Sequence, residues 1–142
     1  MDFLPILLNI RAQPCLVVGG GEIAARKTAL LLRAGGQVTV LSPVLISAFD
    51  DYLAKGKVAH RAASFSAEDV TEYVVVIAAT DDDAVNREVA AAATARRIPV
   101  NVVDQPALCS FILPSIIDRS PVIVAVSSGG ASPVLARLLR AR

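Results

Sequence analysis

The sequence predicts an α/β fold built on a parallel sheet with helices on both faces. Short aliphatic runs alternate with stretches of helix formers, successive runs are separated by a dozen residues or more, and a three-glycine turn, Gly19-Gly20-Gly21, joins the first run to the first helix. Parallel strands cannot be closed by a tight hairpin, so they need crossovers of about that length, which are usually helical. Hydrophobic residues make up 54% of the 142 positions and aromatic residues only 4%. Stiff aliphatic side chains of this kind suit strands buried on both faces, and the length suits one main domain.

The elements follow in order. Cys15 to Val18 reads as the first strand, and Glu22 to Arg33 as the first helix, closed by Gly35-Gly36. Gln37 to Leu41 is the second strand, carrying β-branched Val38, Thr39 and Val40, and Val44 to Ala54 reads as a helix ending at Gly56. Lys57 to Ala62 is a weaker third strand, followed by Ser66 as an N-cap ahead of Glu68 and Asp69. Tyr73 to Ala79 is the strongest strand. Asp81, Asp82 and Asp83 then stand where a helix N-terminus favours negative charge, and the alanine-rich stretch ends in Arg96-Arg97 at the opposite pole. Pro99 to Val103 is the fifth strand. Beyond it the pattern changes: Ser110 to Leu113 and Val122 to Val126 read as strands with no helix between them, and a helix starts near Ser132. The expected division is 1–113 and 114–142. In the second part Leu135, Leu138 and Leu139 lie in a basic amphipathic stretch without an evident partner.

Charge and composition exclude several classes. Fourteen basic and thirteen acidic residues leave a formal net charge of +1, so no global field draws nucleic acid or an anionic membrane, and neither partner is expected. Cys15 and Cys109 are far apart and point to neither a disulfide framework nor a zinc site. Near the N-terminus, Asp2 replaces the positive region of an export signal, and no apolar stretch has bilayer-spanning length. A soluble cytoplasmic protein is expected.

The motif that carries chemistry is Gly19-x-Gly21-x-x-Ala24. In a Rossmann-type fold the first glycine permits a tight turn, the second admits a pyrophosphate to the backbone, and the small third residue lets helix and strand pack closely. The helix N-terminus then offers free N–H groups to the phosphates. Many NAD-binding folds place an acid at the end of the second strand to hold the ribose. Here Ser42-Pro43-Val44 stands there instead, with Ser42 able to bond a ribose and no arginine following for a 2′-phosphate, so this motif leaves NAD and NADP undistinguished.

Catalytic groups in such sheets gather at the carboxyl ends of the strands. Asp81 to Asp83 qualify by position but are explained by helix capping. Asp104 follows the fifth strand where no helix start needs it, and is the candidate acid/base. His60, the only histidine, reads as a surface or packing residue. The loop Ser127-Ser128-Gly129-Gly130 is similar to an anion nest at a helix N-terminus, and a plain turn explains it nearly as well.

The runs Met1–Ile6, Val17–Lys27, Ile77–Asp82, Asn101–Asp104, Ser110–Pro121 and Ser127–Arg137 together resemble the N-terminal module of siroheme synthase. The resemblance covers essentially the whole chain and implies NAD+-dependent dehydrogenation of precorrin-2 to sirohydrochlorin. In members of that family it also implies insertion of ferrous iron in the same pocket. It assigns the acid/base role to Asp104 and cofactor contacts to Glu22, Ile23, Pro43 and Val44; with Gly19, Gly21 and Ala24 of the glycine motif, and with Ser42 and Thr80, these are the expected cofactor residues. Substrate carboxylates are expected at Arg119, Arg137, Ser127, Ser128 and Gly129, with no metal-ligating residues. Family members dimerise through the part after the nucleotide domain, so 114–142 is expected to begin a homodimerisation segment. They continue into a helical region and, in multifunctional members, a methyltransferase module, so a piece of a longer protein is expected. A non-catalytic module sensing NAD(H) is the alternative, since both would bind nucleotide and only the enzyme needs Asp104. A dehydrogenase for an unrelated small substrate is disfavoured by the absence of a histidine or lysine beside the expected cofactor.

Overall fold

The computed structural model describes residues 1–142. They form two compact units, one of Leu7–Ser110 and a smaller one of Met1–Ile6 with Phe111–Arg142. The larger unit holds a five-stranded sheet of β1 (Pro14–Val18), β2 (Gln37–Leu41), β3 (Val58–Arg61), β4 (Val75–Ala78) and β5 (Val100–Val102). Its order is β3-β2-β1-β4-β5 and every pairing is parallel. This is the strand order of a Rossmann-type sheet, with the reversal point between β1 and β4.

Helix α1 (Glu22–Arg33) links β1 to β2, α2 (Asp50–Ala54) links β2 to β3, and α3 (Asp83–Ala95) links β4 to β5. Side chains alternate along each strand, so the two faces of the sheet bury different sets. Leu16, Val18, Leu41, Val76, Ala78, Val100 and Val102 share one core with Val70 and with Val89, Ala90 and Ala93 of α3. The small residues of α3 let that helix lie close on the strands. On the other face α1 packs on β1 and β2, burying Ala24, Thr28 and Leu31.

Two expected elements differ. Val44 to Ala54 is not one helix: Val44 to Ile46 belong to no helix, with Ile46 extended, a 3-10 turn covers Ser47–Phe49, and only Asp50–Ala54 is α-helical. The cause is the glycine turn, because Gly20 O accepts from Ile46 N at 3.0 Å and Val44 O from Ser42 Oγ at 2.8 Å. Ser110 to Leu113 is not a strand. Ser110 is committed to β5, with its N–H on Val100 O at 2.9 Å and its Oγ accepting from Val100 N at 2.9 Å. Pro114 has no N–H to donate, and pairing starts after it.

In the smaller unit β6 (Ser115–Arg119) and β7 (Val122–Val126) form an antiparallel hairpin, and α4 (Pro133–Arg140) packs on both. The Ser132 hydroxyl caps α4 by accepting from Leu135 N at 3.2 Å, and proline opens the helix where its missing donor costs nothing. The units divide after Ser110 rather than after Leu113, and the first six residues belong with the C-terminal ones. The Phe3 ring lies against Gly129, where an added Cβ would come within 3.3 Å of it. No helix is long and apolar enough to cross a membrane.

Candidate functional site

The carboxyl ends of β1, β2, β4 and β5 bring together most of the residues singled out in the sequence. At the end of β1, Gly19 takes φ +130°, and a Cβ there would lie 2.2 Å from Ala79 O. At Gly20 a Cβ would lie 2.1 Å from Val44 O and 2.8 Å from Ser42 Oγ. At Gly21 nothing stands within 4 Å. The turn is therefore packed from behind at its first two glycines and open in front of the third.

Gly21 is also the N-cap of α1, and no side chain caps this helix. The first intrahelical bond is Ala25 N to Gly21 O at 3.0 Å, so the N–H groups of Glu22, Ile23 and Ala24 have no intrahelical acceptor. By contrast, α3 is closed by Asp82, whose carboxylate accepts from Ala84 N and Val85 N, so of the acidic run it is Asp82 that caps the helix. Apolar surface flanks the open turn: Val44 is 76% exposed and Ile23 37%. Ala24 is fully buried, as close helix–strand packing requires.

Ser42, at the end of β2, donates its hydroxyl proton to Val44 O, which leaves its lone pairs as acceptors. His60 Nε2 lies 2.8 Å from Ser42 O. A carbonyl only accepts, so this nitrogen carries the proton. His60 is exposed, as the surface reading expected, and its ring is bonded to the Ser42 carbonyl.

Thr80, after β4, is clasped by Asn86 of α3. The Asn86 carbonyl oxygen accepts from Thr80 N at 3.2 Å and Thr80 Oγ1 at 2.7 Å, and its amide donates to Thr80 O at 3.0 Å. Asn86 is buried, and sequence reading missed it because an asparagine six residues beyond a strand carries no motif. The clasp holds the peptide against which Gly19 packs.

Asp104 follows β5 in the left-handed region, at φ +62°, with its side chain exposed. Val103 N donates to Ala78 O at 3.1 Å and Gln105 Nε2 to Asp83 Oδ1 at 2.9 Å, so both neighbours are anchored to the β4–α3 segment. Half-buried Lys27 of α1 senses this carboxylate. Burial and then Arg26 hold its ammonium below the usual lysine range, while Asp104 pulls it back up. Sequence reading gave no role to Lys27 or His60. Their signal is three-dimensional: Lys27 lies on the helix after the glycine turn, and His60 on the strand beside β2.

A family described as "Putative NAD(P)-binding" matches residues 6–115. The chain belongs to this NAD(P)-binding family. Residues 120–142 match a second family, described as "Sirohaem biosynthesis protein central". Over its whole length the chain is 61% identical to a siroheme synthase of Nitrosospira multiformis and 59% identical to one of Nitrosococcus oceani. It spans 31% and 30% of the length of those relatives. Among solved structures, SirC, a precorrin-2 dehydrogenase, matches with a TM-score of 0.85 at 27% identity, over 98% of this chain and 68% of that one.

The residues present fit the dinucleotide that membership of this NAD(P)-binding family implies. Space for a pyrophosphate opens at Gly21, uncapped N–H groups of α1 face the turn region, and Ser42 keeps its acceptors. The remaining expected residues, Arg119, Ser127, Ser128, Gly129 and Arg137, lie in the smaller unit. Ser127 Oγ accepts from Gly129 N at 3.1 Å and Ser128 Oγ from Ser132 N at 2.7 Å, so these hydroxyls order their own loop.

Proposed function

We propose that this chain carries out NAD+-dependent dehydrogenation of precorrin-2 to sirohydrochlorin, in the cytoplasm, as part of siroheme biosynthesis. The observation that carries this reading is Asp104: an exposed carboxylate held in a left-handed turn at a strand's carboxyl end, in the same unit as the glycine turn, in a chain similar to a precorrin-2 dehydrogenase along its length. Bound NAD+ supplies the hydride acceptor. Dehydrogenation also releases a proton, which Asp104 takes as general base. Insertion of ferrous iron, as substrate, releases two pyrrole protons, and the same carboxylate serves that step.

Gly19, Gly21, Glu22, Ile23, Ala24, Ser42, Pro43, Val44 and Thr80 are assigned to the cofactor. Arg119 and Arg137 are assigned to substrate carboxylates as charge-assisted donors. Ser127 and Ser128 join them, because each hydroxyl that accepts from the backbone retains a proton to donate. The active form is a homodimer joined through the smaller unit, where Val134, Leu135, Leu138 and Leu139 of α4 and Val122 and Ile123 of β7 are each at least half exposed.

The test is precorrin-2 oxidation followed by absorbance, with NAD+ and with NADP+, for the wild type and for Asp104→Asn, since asparagine tolerates positive φ. Loss of turnover by roughly 100-fold or more with NAD+ binding retained is expected. Undiminished turnover in Asp104→Asn would remove the base assignment. NAD+ binding with no turnover, by this chain or by a longer protein containing it, would leave a sensing module.

A further inference from the structure

Ser42 stands where NAD-binding folds carry the acid that holds the ribose and repels a 2′-phosphate. Without that acid, exclusion of NADP+ must come from elsewhere. The neighbouring cation is Arg61, the last residue of β3. It pairs in register with Leu41, and its carbonyl accepts from Ser42 N at 3.2 Å. An arginine beside this position is what folds that accept NADP use.

The Arg61 guanidinium is already taken. Its Nη2 donates to Asp69 Oδ1 at 2.7 Å, and the other oxygen, Oδ2, accepts from Ser66 N at 2.7 Å. The Asp69 side chain is only 13% exposed against 44% for Arg61, so the carboxylate is the fixed partner and the arginine the one that is held. Asp69 closes the capping box of the 3-10 turn Ala67–Val70, and Val70 belongs to the main core.

We propose that Asp69 sets the preference for NAD+ over NADP+ by withholding Arg61 from the 2′ position beside Ser42. The inference rests on the nucleotide site described above. It makes Asp69 a specificity-determining residue that touches neither nucleotide.

The informative variant is Asp69→Asn. Its amide oxygen still accepts from Ser66 N, preserving the cap, and its NH2 then faces the guanidinium where the carboxylate stood, so the charged tie is lost and only the Tyr73 hydroxyl remains to hold Arg61. NAD+ and NADP+ dissociation constants are measured by calorimetry for the wild type, Asp69→Asn, Arg61→Gln and the double variant, with melting curves to establish folding. Asp69→Asn is expected to tighten NADP+ by roughly ten-fold and leave NAD+ unchanged. The double variant returns NADP+ to its wild-type value, and Arg61→Gln alone changes neither. NADP+ affinity unmoved in folded Asp69→Asn overturns the proposal, as does a gain that survives loss of Arg61. Failure of the wild type to bind either nucleotide would overturn the nucleotide site itself.

Discussion

Gly19 presses its α-carbon against the carbonyl of Ala79, so closely that a methyl group on it would lie 2.2 Å from that oxygen. With φ +130°, Gly19 meets both conditions that only glycine satisfies, a left-handed backbone and no room for Cβ. Gly19→Ala is expected to destabilise the protein by about 2 kcal/mol or more. Gly21→Ala should fold with a melting temperature near the wild type, because its Cβ meets nothing and φ is −94°. It should nevertheless lose NAD+ affinity, since the methyl occupies the approach to the turn. Paired melting curves and NAD+ titrations check both, and a Gly21→Ala protein with wild-type affinity would argue against a pyrophosphate there.

Asn86 makes three hydrogen bonds to Thr80 from a buried position. Asn86→Ala takes the partner from Thr80 N and Thr80 O, while the Thr80 hydroxyl keeps Asp82 O, and is expected to cost about 2 kcal/mol. Asn86→Asp keeps the acceptor but loses the donor to Thr80 O, so it too should destabilise. In both variants the KM for NAD+ should rise more than kcat falls, measured at a temperature where the protein remains folded.

Lys27 and Asp104 are coupled electrostatically. Burial and Arg26 lower the lysine, and Asp104 opposes them. Asp104→Asn removes the opposing charge, so Lys27 is expected to titrate still lower in the variant than in the wild type. NMR detection of the Lys27 side chain across alkaline pH reads the shift directly, and an unchanged titration would mean that the two groups do not sense one another.

Cys15 is wholly buried in β1, and burial pushes its thiol up to about 11 from an ordinary value of 9.0. Ionisation is therefore easier in the unfolded chain, which binds fewer protons above pH 9. The contribution of this thiol to stability is fully present below about pH 9 and is lost as pH rises through about 11. Denaturant melts between these values should show that decline in the wild type and a smaller one in Cys15→Ala. A thiol reagent at pH 8 should leave Cys15 unmodified until the protein unfolds.

Where the information is local, the sequence sufficed. The glycine turn, the acidic helix start at Asp81 to Asp83, the helix start near Ser132 and the four-residue core of β4 follow from turn geometry, hydrogen-bonding side chains and apolar runs a few residues long. By itself the sequence determined a parallel α/β sheet with a glycine turn opening its first helix, and it marked Asp104 at a strand's carboxyl end. Tertiary structure decided the rest, because the deciding contacts join residues far apart in the chain. Val44 to Ile46 have helix-compatible neighbours but stay out of the helix, with Ile46 bonded to Gly20. Ser110 reads as strand but is bonded back to Val100. Asn86, Lys27, His60 and the Arg61–Asp69 pair have no motif, and they matter only because the order β3-β2-β1-β4-β5 gathers their elements around one end of the sheet. Strand order is chosen by the burial of both sheet faces at once, a property of the assembled core that no short window of sequence contains.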